Sequence, residues 1–203
     1  MTAPGEGLRE ADPLEDDPLE EDEIVDDEIV DDEAPAPAVR AWRHPSRRRW
    51  VLFAVLAIGV VILDQLTKTW ITTTLAPGQS TEVLGSWLRF VHWTNSGILF
   101  GMLPQSGPAF AVVSMVVVGL IGVYHAKAGR GLVTTVALGL LLGGALGNLV
   151  DRLRYGAVVD WVDMGIGEWR FYTYNVADAA ITTGIVLLLA MAVFPRLADW
   201  AAE

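Results

Sequence analysis

The stretch from Leu132 to Arg152 reads LVTTVALGLLLGGALGNLVDR, and its reading decides the fold. From Leu132 to Val150 it carries no charge and is near the length that crosses ~30 Å of hydrocarbon at 1.5 Å per residue. Backbone groups in lipid must be satisfied within their own segment, so the run is predicted to be a helix. Gly139, Gly143, Gly144 and Gly147 stand at small-xxx-small spacings that suit close helix packing. The far end is polar: Asn148, Asp151 and Arg152 follow within two turns. Asp151 and Arg152 are also readable as no more than a helix end at the interface.

Working outward, three further apolar runs appear, at about Trp50 to Thr72, Ala109 to Tyr124 and Val176 to Phe194. The chain is therefore predicted to be an α-helical membrane protein with four transmembrane helices. Arg40, Arg43, Arg47, Arg48 and Arg49 precede the first span, Lys127 and Arg130 lie between the second and third, and Arg196 follows the fourth. Basic residues mark cytoplasmic ends, so both termini are expected inside. Tryptophans bracket the first span at Trp50 and Trp70, and Trp87, Trp93, Trp161 and Trp169 fall in the outer connections, where interfacial indoles belong. Those connections contain two β-rich stretches, Trp87 to Trp93 and Trp169 to Tyr174, which predict a small extracytoplasmic β-element resting on the bundle. Asp160 is expected in the loop that adjoins it.

Charge is spread unevenly over the 203 residues. Of 25 acidic residues, 16 lie between Glu6 and Glu33, where Arg9 is the one base; from Ala34 onward 13 basic residues face 9 acidic ones. The net charge of −11 thus belongs to a tail. Dense like charge with few aromatics does not support a packed core, so residues 1–39 are expected to be a disordered acidic cytoplasmic extension, for solubility or spacing or for docking a partner. Residues 40–49 then form a basic juxtamembrane segment, 50–194 the membrane domain and 195–203 a short cytoplasmic tail. With no cysteine there is no disulfide and no thiolate metal site. The three histidines, His44, His92 and His125, fall on two sides of the predicted membrane, so no metal centre is expected. No cofactor and no nucleic-acid partner is expected either.

Depth counting gathers the intramembrane polar residues. Asp64 stands ~21 Å above Trp50, Asn148 ~24 Å above Leu132 and Asp178 ~24 Å before Phe194, at 1.5 Å per residue. All three fall in one layer just below the outer surface, which Lys68 reaches one turn above Asp64. Ionisable groups at such depth are costly and usually functional. Each also has a plainer reading. Asp64 and Lys68 at i,i+4 make a helix-face ion pair, Ser114 bonds its own helix, and Asp160 and Asp178 serve as loop or capping carboxylates. Two carboxylates that converge would instead form an acid–base pair.

Five strings occur in order: Asp64-Gln65-Leu66-Thr67-Lys68, Asn95-Ser96-Gly97-Ile98-Leu99-Phe100-Gly101, Gly143 to Arg152, Val158-Val159-Asp160-Trp161, and Phe171 to Asp178. Together they resemble the lipoprotein signal peptidases, the type II signal peptidases of bacterial plasma membranes, over roughly residues 50–194. The resemblance implies a multi-pass intramembrane aspartic endopeptidase that removes signal peptides from prolipoproteins before a diacylglyceryl-modified cysteine, near the extracytoplasmic surface. It implies Asp160 and Asp178 as the catalytic pair. Asn148, Arg152 and Asn175, with Asn95 and Gly97 from the outer loop, would surround the pair and hold substrate. Asp64 and Lys68 would organise the site edge or meet a lipid headgroup, with Asp151, Gly143 and Gly147 in structural roles. Expected partners are diacylglyceryl-modified prolipoproteins and membrane phospholipid, and one bundle is expected to hold a complete site as a monomer. Trp161, Tyr172 and Tyr174 depart from the family's usual residues, as does the bulk of Ile98 and Leu99.

Other classes compete on pattern alone. A Ser96/Lys68 protease is conceivable because a desolvated lysine can act as base, but it leaves both aspartates without work. An ion-conducting reading would use the polar layer as a binding site, yet these residues gather at one face and trace no path across the bilayer. A membrane scaffold that displays the acidic tail would have no need of the layer.

Overall fold

The computed structural model describes residues 44–96, 107–129 and 131–199. The expectations for the acidic extension, for Gly97 and for Arg130 lie outside the described residues. Four long helices carry the chain: α1 (Arg47–Thr74), α2 (Gly107–Ala128), α3 (Leu132–Tyr155) and α4 (Val176–Val193), with the short α5 at Arg196–Asp199. All four are long and apolar enough to span a membrane. Each of the first three runs beyond its apolar stretch. Ser46 caps α1 by accepting from the Arg49 N–H, and α3 continues through Asp151 and Arg152 to a left-handed Gly156. Asp151 and Arg152 therefore do not end their helix.

α3 is the central helix. Of its apolar window 56% is buried, against 17%, 11% and 17% for α1, α2 and α4, and it packs on all three. Its glycines make this possible. A Cβ on Gly143 would stand 2.6 Å from Val60 Cβ and 2.8 Å from the Ala57 carbonyl, and one on Gly147 would stand 2.7 Å from Asp64 Oδ2. Apolar lipid tails offer little driving force for helix association, so backbone approach of this kind carries much of the packing.

The two ends of the bundle differ. At one end His125 of α2 stacks on Phe53 at 4.0 Å and meets Trp50 edge-on, which puts Lys127 and Arg47 to Arg49 together. At the other end sits an antiparallel sheet in the order β1 (Ser80–Leu84), β2 (Leu88–Asn95), β3 (Val158–Ile166) and β4 (Trp169–Arg170). Trp70 of α1, Phe90 of β2 and Trp161 of β3 form an edge-to-face chain that seats the sheet on the helices. His92 adds a hydrogen bond between its Nδ1 and the Leu75 carbonyl oxygen, 2.8 Å.

Two expectations are corrected here. Asp160 lies in the nine-residue strand β3, not in a loop; Val158, Val159, Trp161 and Val162 are the β-formers that sustain it. The expected strand from Trp169 to Tyr174 contracts to two residues plus a single bridge between Tyr174 and Val162, with the chain leaving the sheet between them.

Close packing at α3 is testable. Gly143→Ala should destabilise the bundle by about 1–3 kcal/mol, the usual cost of overpacking. Gly59→Ala, whose added Cβ would meet nothing within 4 Å, should not destabilise it and should gain up to about 1 kcal/mol from replacing a mid-helix glycine. Thermal unfolding in detergent reads both.

Candidate active site

The site grows from one buried cation. Lys68 of α1 is 3% exposed, and its Nζ lies 2.7 Å from Asp64 Oδ2 and 2.9 Å from Asp151 Oδ2 while donating to Asn148 Oδ1 at 3.2 Å. The i,i+4 ion pair expected between Asp64 and Lys68 is present, but Lys68 points inward, not to the membrane surface. Gln65 Nε2 donates to Asp64 Oδ2, to the Gly147 carbonyl and to Asp151 Oδ1, so it braces both carboxylates that hold Lys68.

Both carboxylates also reach outward to backbone. Asp64 Oδ1 accepts from the Ala177 N–H of α4 at 3.0 Å, and Asp151 Oδ2 accepts from the Val159 N–H of β3 at 3.0 Å. The segments on either side of these contacts, Val159-Asp160 and Ala177-Asp178, hold the two aspartates of interest. A bulge in β2 between Phe90 and Trp93 moves its register by one residue. Asn95 thereby faces Val158, and its Nδ2 donates to Asp160 Oδ2 at 3.1 Å. Such re-aiming is a common use of bulges beside active sites.

Two asparagines tie the aspartates together. Asn175 Nδ2 donates to Asp160 Oδ1 at 2.7 Å, and also to Asn148 Oδ1 and the Val159 carbonyl. Its Oδ1 accepts from the Asp178 N–H at 2.9 Å while the Asn175 N–H donates to Asp178 Oδ2, a complete capping box at the start of α4. Asn148 Nδ2 donates to Asp178 Oδ1 at 2.7 Å. The capping reading of Asp178 is thus correct, and the same side chain lies one asparagine away from Asp160. Arg152 donates to the Asn148 carbonyl, lies over the Phe110 ring and is within electrostatic reach of Asp178 and Asp160.

Asp160 is 2% exposed. Burial, and after it the charge of Asp178, push its carboxyl up to about 7, against the hydrogen bonds from Asn95 and Asn175. Asp160 and Asp178 line one cavity of about 1170 Å³, whose wall also includes Asn95, Arg170, Tyr172 and Thr183. Asp64, Lys68 and Asp151 do not line it; they lie behind it. Lys68 is committed to two carboxylates and an amide, so it is not the free base that a Ser96/Lys68 pair would need. Ser114 bonds the Phe110 carbonyl of its own helix.

The chain is similar to known proteins in sequence and fold. Residues 56–194 match the family described as signal peptidase (SPase) II. The chain belongs to the signal peptidase II family. It is 37% identical over 140 residues to the lipoprotein signal peptidase of Staphylococcus carnosus, covering 68% of this chain and 88% of that one. The Staphylococcus haemolyticus lipoprotein signal peptidase is 36% identical over 136 residues, 66% of this chain and 86% of its own. Two solved bacterial membrane enzyme structures share the fold. They show TM-scores of 0.68 and 0.66 at 31% and 32% identity, cover 76% and 74% of this chain, and are themselves covered to 94% and 96%. The chain is accordingly a multi-pass membrane protein of a protease family.

Two groups of site residues escape a reading of the sequence. Gln65 sits inside a quoted string, yet its triple donation depends on α3 lying alongside. Asp163 is also hidden. It accepts from Arg89 Nε at 2.8 Å and Arg170 Nε at 3.0 Å, and only the β2–β3–β4 register brings these three together. Its signal was a second aspartate in the same strand.

Lys68→Met should leave the Asp64 and Asp151 carboxylates buried without their cation. Breaking a buried pair from one side costs about 3–5 kcal/mol, so thermal unfolding in detergent should show a loss of that size.

Proposed function

We propose that this protein is an intramembrane aspartic endopeptidase that removes signal peptides from prolipoproteins by cleaving before a diacylglyceryl-modified cysteine. One observation carries the reading: Asp160 and Asp178 face a single cavity and are joined through Asn175 and Asn148. Supporting it, the relatives it matches are named lipoprotein signal peptidases.

Two carboxylates this closely linked hold one proton between them. The raised value of Asp160 makes it the proton carrier and Asp178 the base. Asp178 takes a proton from a water whose oxygen attacks the scissile carbonyl carbon, while Asp160 donates its proton to the carbonyl oxygen. Collapse of the tetrahedral intermediate breaks the C–N bond. The proton held by Asp178 then passes to the leaving nitrogen, which becomes the free amine of the lipidated cysteine, and Asp160 recovers its own proton from the hydroxyl. Asn95, Asn148 and Asn175 fix both carboxylates through this exchange, and Arg152 supplies positive charge beside them. Lys68, Asp64 and Asp151 act from behind as positioning residues.

The basic end of the bundle, with Arg47 to Arg49 and Lys127, suits the cytoplasmic side. The cavity would then open near the extracytoplasmic surface, where a peptide bond between a spanning signal helix and acyl chains in the outer leaflet would lie. Membrane phospholipid is the surrounding solvent, and the bundle carries its dyad within one chain, as a monomer would need.

Purified protein incubated with a diacylglyceryl-modified prolipoprotein tests the proposal. Asp160→Asn and Asp178→Asn should each lower cleavage about 10²–10⁴-fold, the usual contribution of a positioned acid or base. Retained cleavage in either would remove the dyad, and ion flux without cleavage would favour a conducting protein. Because Asp160 titrates at about 7, wild-type cleavage should fall as pH rises through that value and the donor loses its proton. In Asp178→Asn the neighbouring charge is gone, so the Asp160 carboxyl band in an infrared titration should move to lower pH.

A further inference from the structure

The part of the cavity wall that follows β3 is held by a device separate from the dyad. β3 and β4 meet at a two-residue hairpin turn, with Gly167 at φ +57° and Ile166 paired to Trp169. Beyond it, Gly165 pairs with Arg170. Register partners share a face, as do residues two apart in a strand, so Gly165, Arg170 and Asp163 all lie on one face. The Arg170 side chain runs across Gly165. A Cβ at Gly165 would run into the Trp169 carbonyl oxygen and come within 2.7 Å of Arg170 Cα and 2.9 Å of Arg170 Cδ.

At the end of that path all three guanidinium nitrogens are engaged. Arg170 Nε donates to Asp163 Oδ1 at 3.0 Å, Nη2 lies 2.8 Å from Asp163 Oδ2 and donates to the Asp163 carbonyl, and Nη1 donates to the Ser86 carbonyl at 2.6 Å. Asp163 is held in turn by Arg89 of β2. A planar five-donor fork suits such multiple fixation, and an ammonium group does not.

The segment that starts at Arg170 has a second, independent anchor. Tyr174 exchanges backbone hydrogen bonds with Val162, and its carbonyl also accepts from the Trp161 N–H. That anchor stands beside Asp160 on one side and Asn175 on the other. Between the two anchors the Phe171 N–H donates to the Met164 carbonyl at 2.7 Å, and Phe171 and Tyr172, 66% and 83% exposed, form with Trp169 and Ile166 an apolar rim on the dyad's cavity.

We propose that Arg170, latched to Asp163 and Ser86 over Gly165, is a positioning residue for substrate binding. It holds the Trp169–Tyr172 rim against the cavity as the surface that receives the acyl chains of the substrate. This rests on the proposed peptidase reading. Continuity of the rim with the cavity of Asp160 and Asp178 commits it to the substrate's own lipid. Since Tyr174 anchors the dyad side separately, losing the latch loosens binding and leaves the chemical step alone.

Two readouts on the full-length protein in detergent separate the latch from the reaction. The first is hydrogen–deuterium exchange over residues 169–172, which needs no activity. Arg170→Gln and Arg170→Lys should both speed exchange there and leave 175–178 protected. The second is kinetics on a diacylglyceryl-modified prolipoprotein peptide. Arg170→Gln should raise KM about tenfold with kcat within about threefold of wild type, a loss confined to binding. Gly165→Ala, which would press on the β4 backbone at Trp169 and Arg170 as well as on the Arg170 side chain, should also raise KM. An unlipidated peptide should bind wild type and Arg170→Gln equally weakly. A fall in kcat at unchanged KM, unchanged exchange, full function of Arg170→Lys, or an equal KM rise for the unlipidated peptide would overturn the proposal; the last would make the rim a peptide surface or a membrane anchor. If wild type shows no cleavage, the peptidase reading fails while the exchange result still judges the latch.

Discussion

A lysine ammonium held between two buried carboxylates is the constraint on which the rest depends. Lys68 and Asp64 come from α1 and Asp151 from α3; the other oxygen of Asp64 accepts from backbone in α4, and the Asp151 oxygen that faces the lysine also accepts from backbone in β3. A single charge thus fixes the relative height of three helices and one strand. Such a pair is weak evidence for stability, because desolvating the ions offsets much of their attraction. What it supplies is a unique arrangement, since any sliding of α1 on α3 would leave a charge unpaired in a low-dielectric interior.

The aspartates of the cavity inherit that order. Asp160 follows Val159, whose N–H is held by Asp151, and Asp178 follows Ala177, whose N–H is held by Asp64. Asparagine amides complete the frame at Asn95, Asn148 and Asn175. Amides donate and accept without adding charge, so they bring two carboxylates near each other without neutralising either. The pair keeps its mutual repulsion, and burial then leaves Asp160 able to hold a proton near neutral pH.

Much of this was legible in the sequence, for identifiable reasons. Four apolar runs of spanning length admit little besides helices, and the count of 1.5 Å per residue put Asp64, Asn148 and Asp178 at one height. They are joined through Lys68 and Asn148. The sheet was harder, because strand pairing is non-local. Trp87 to Trp93 alternates clearly, but Asp160 interrupts the β-formers of its own strand, so the local pattern alone predicts a loop there. The latch at Arg170 was beyond reach for the same reason: it depends on a register, a glycine and a backbone carbonyl 84 positions away in the chain.

The capping box at Asn175 and Asp178 has a consequence for the helix it begins. α4 is apolar around its whole circumference, so its 18 residues carry little instruction about which face should turn inward. A slip of one residue would rotate it by about 100° and shift it by 1.5 Å. Gly184 would then lose the place where it lies against Leu141 and the Ala137 carbonyl, contacts that leave no room for a side chain. The box at one end acts as an index mark, and the glycine two turns below checks the alignment. A polar signature of four residues thereby sets the rotation of a helix whose own pattern is nearly silent.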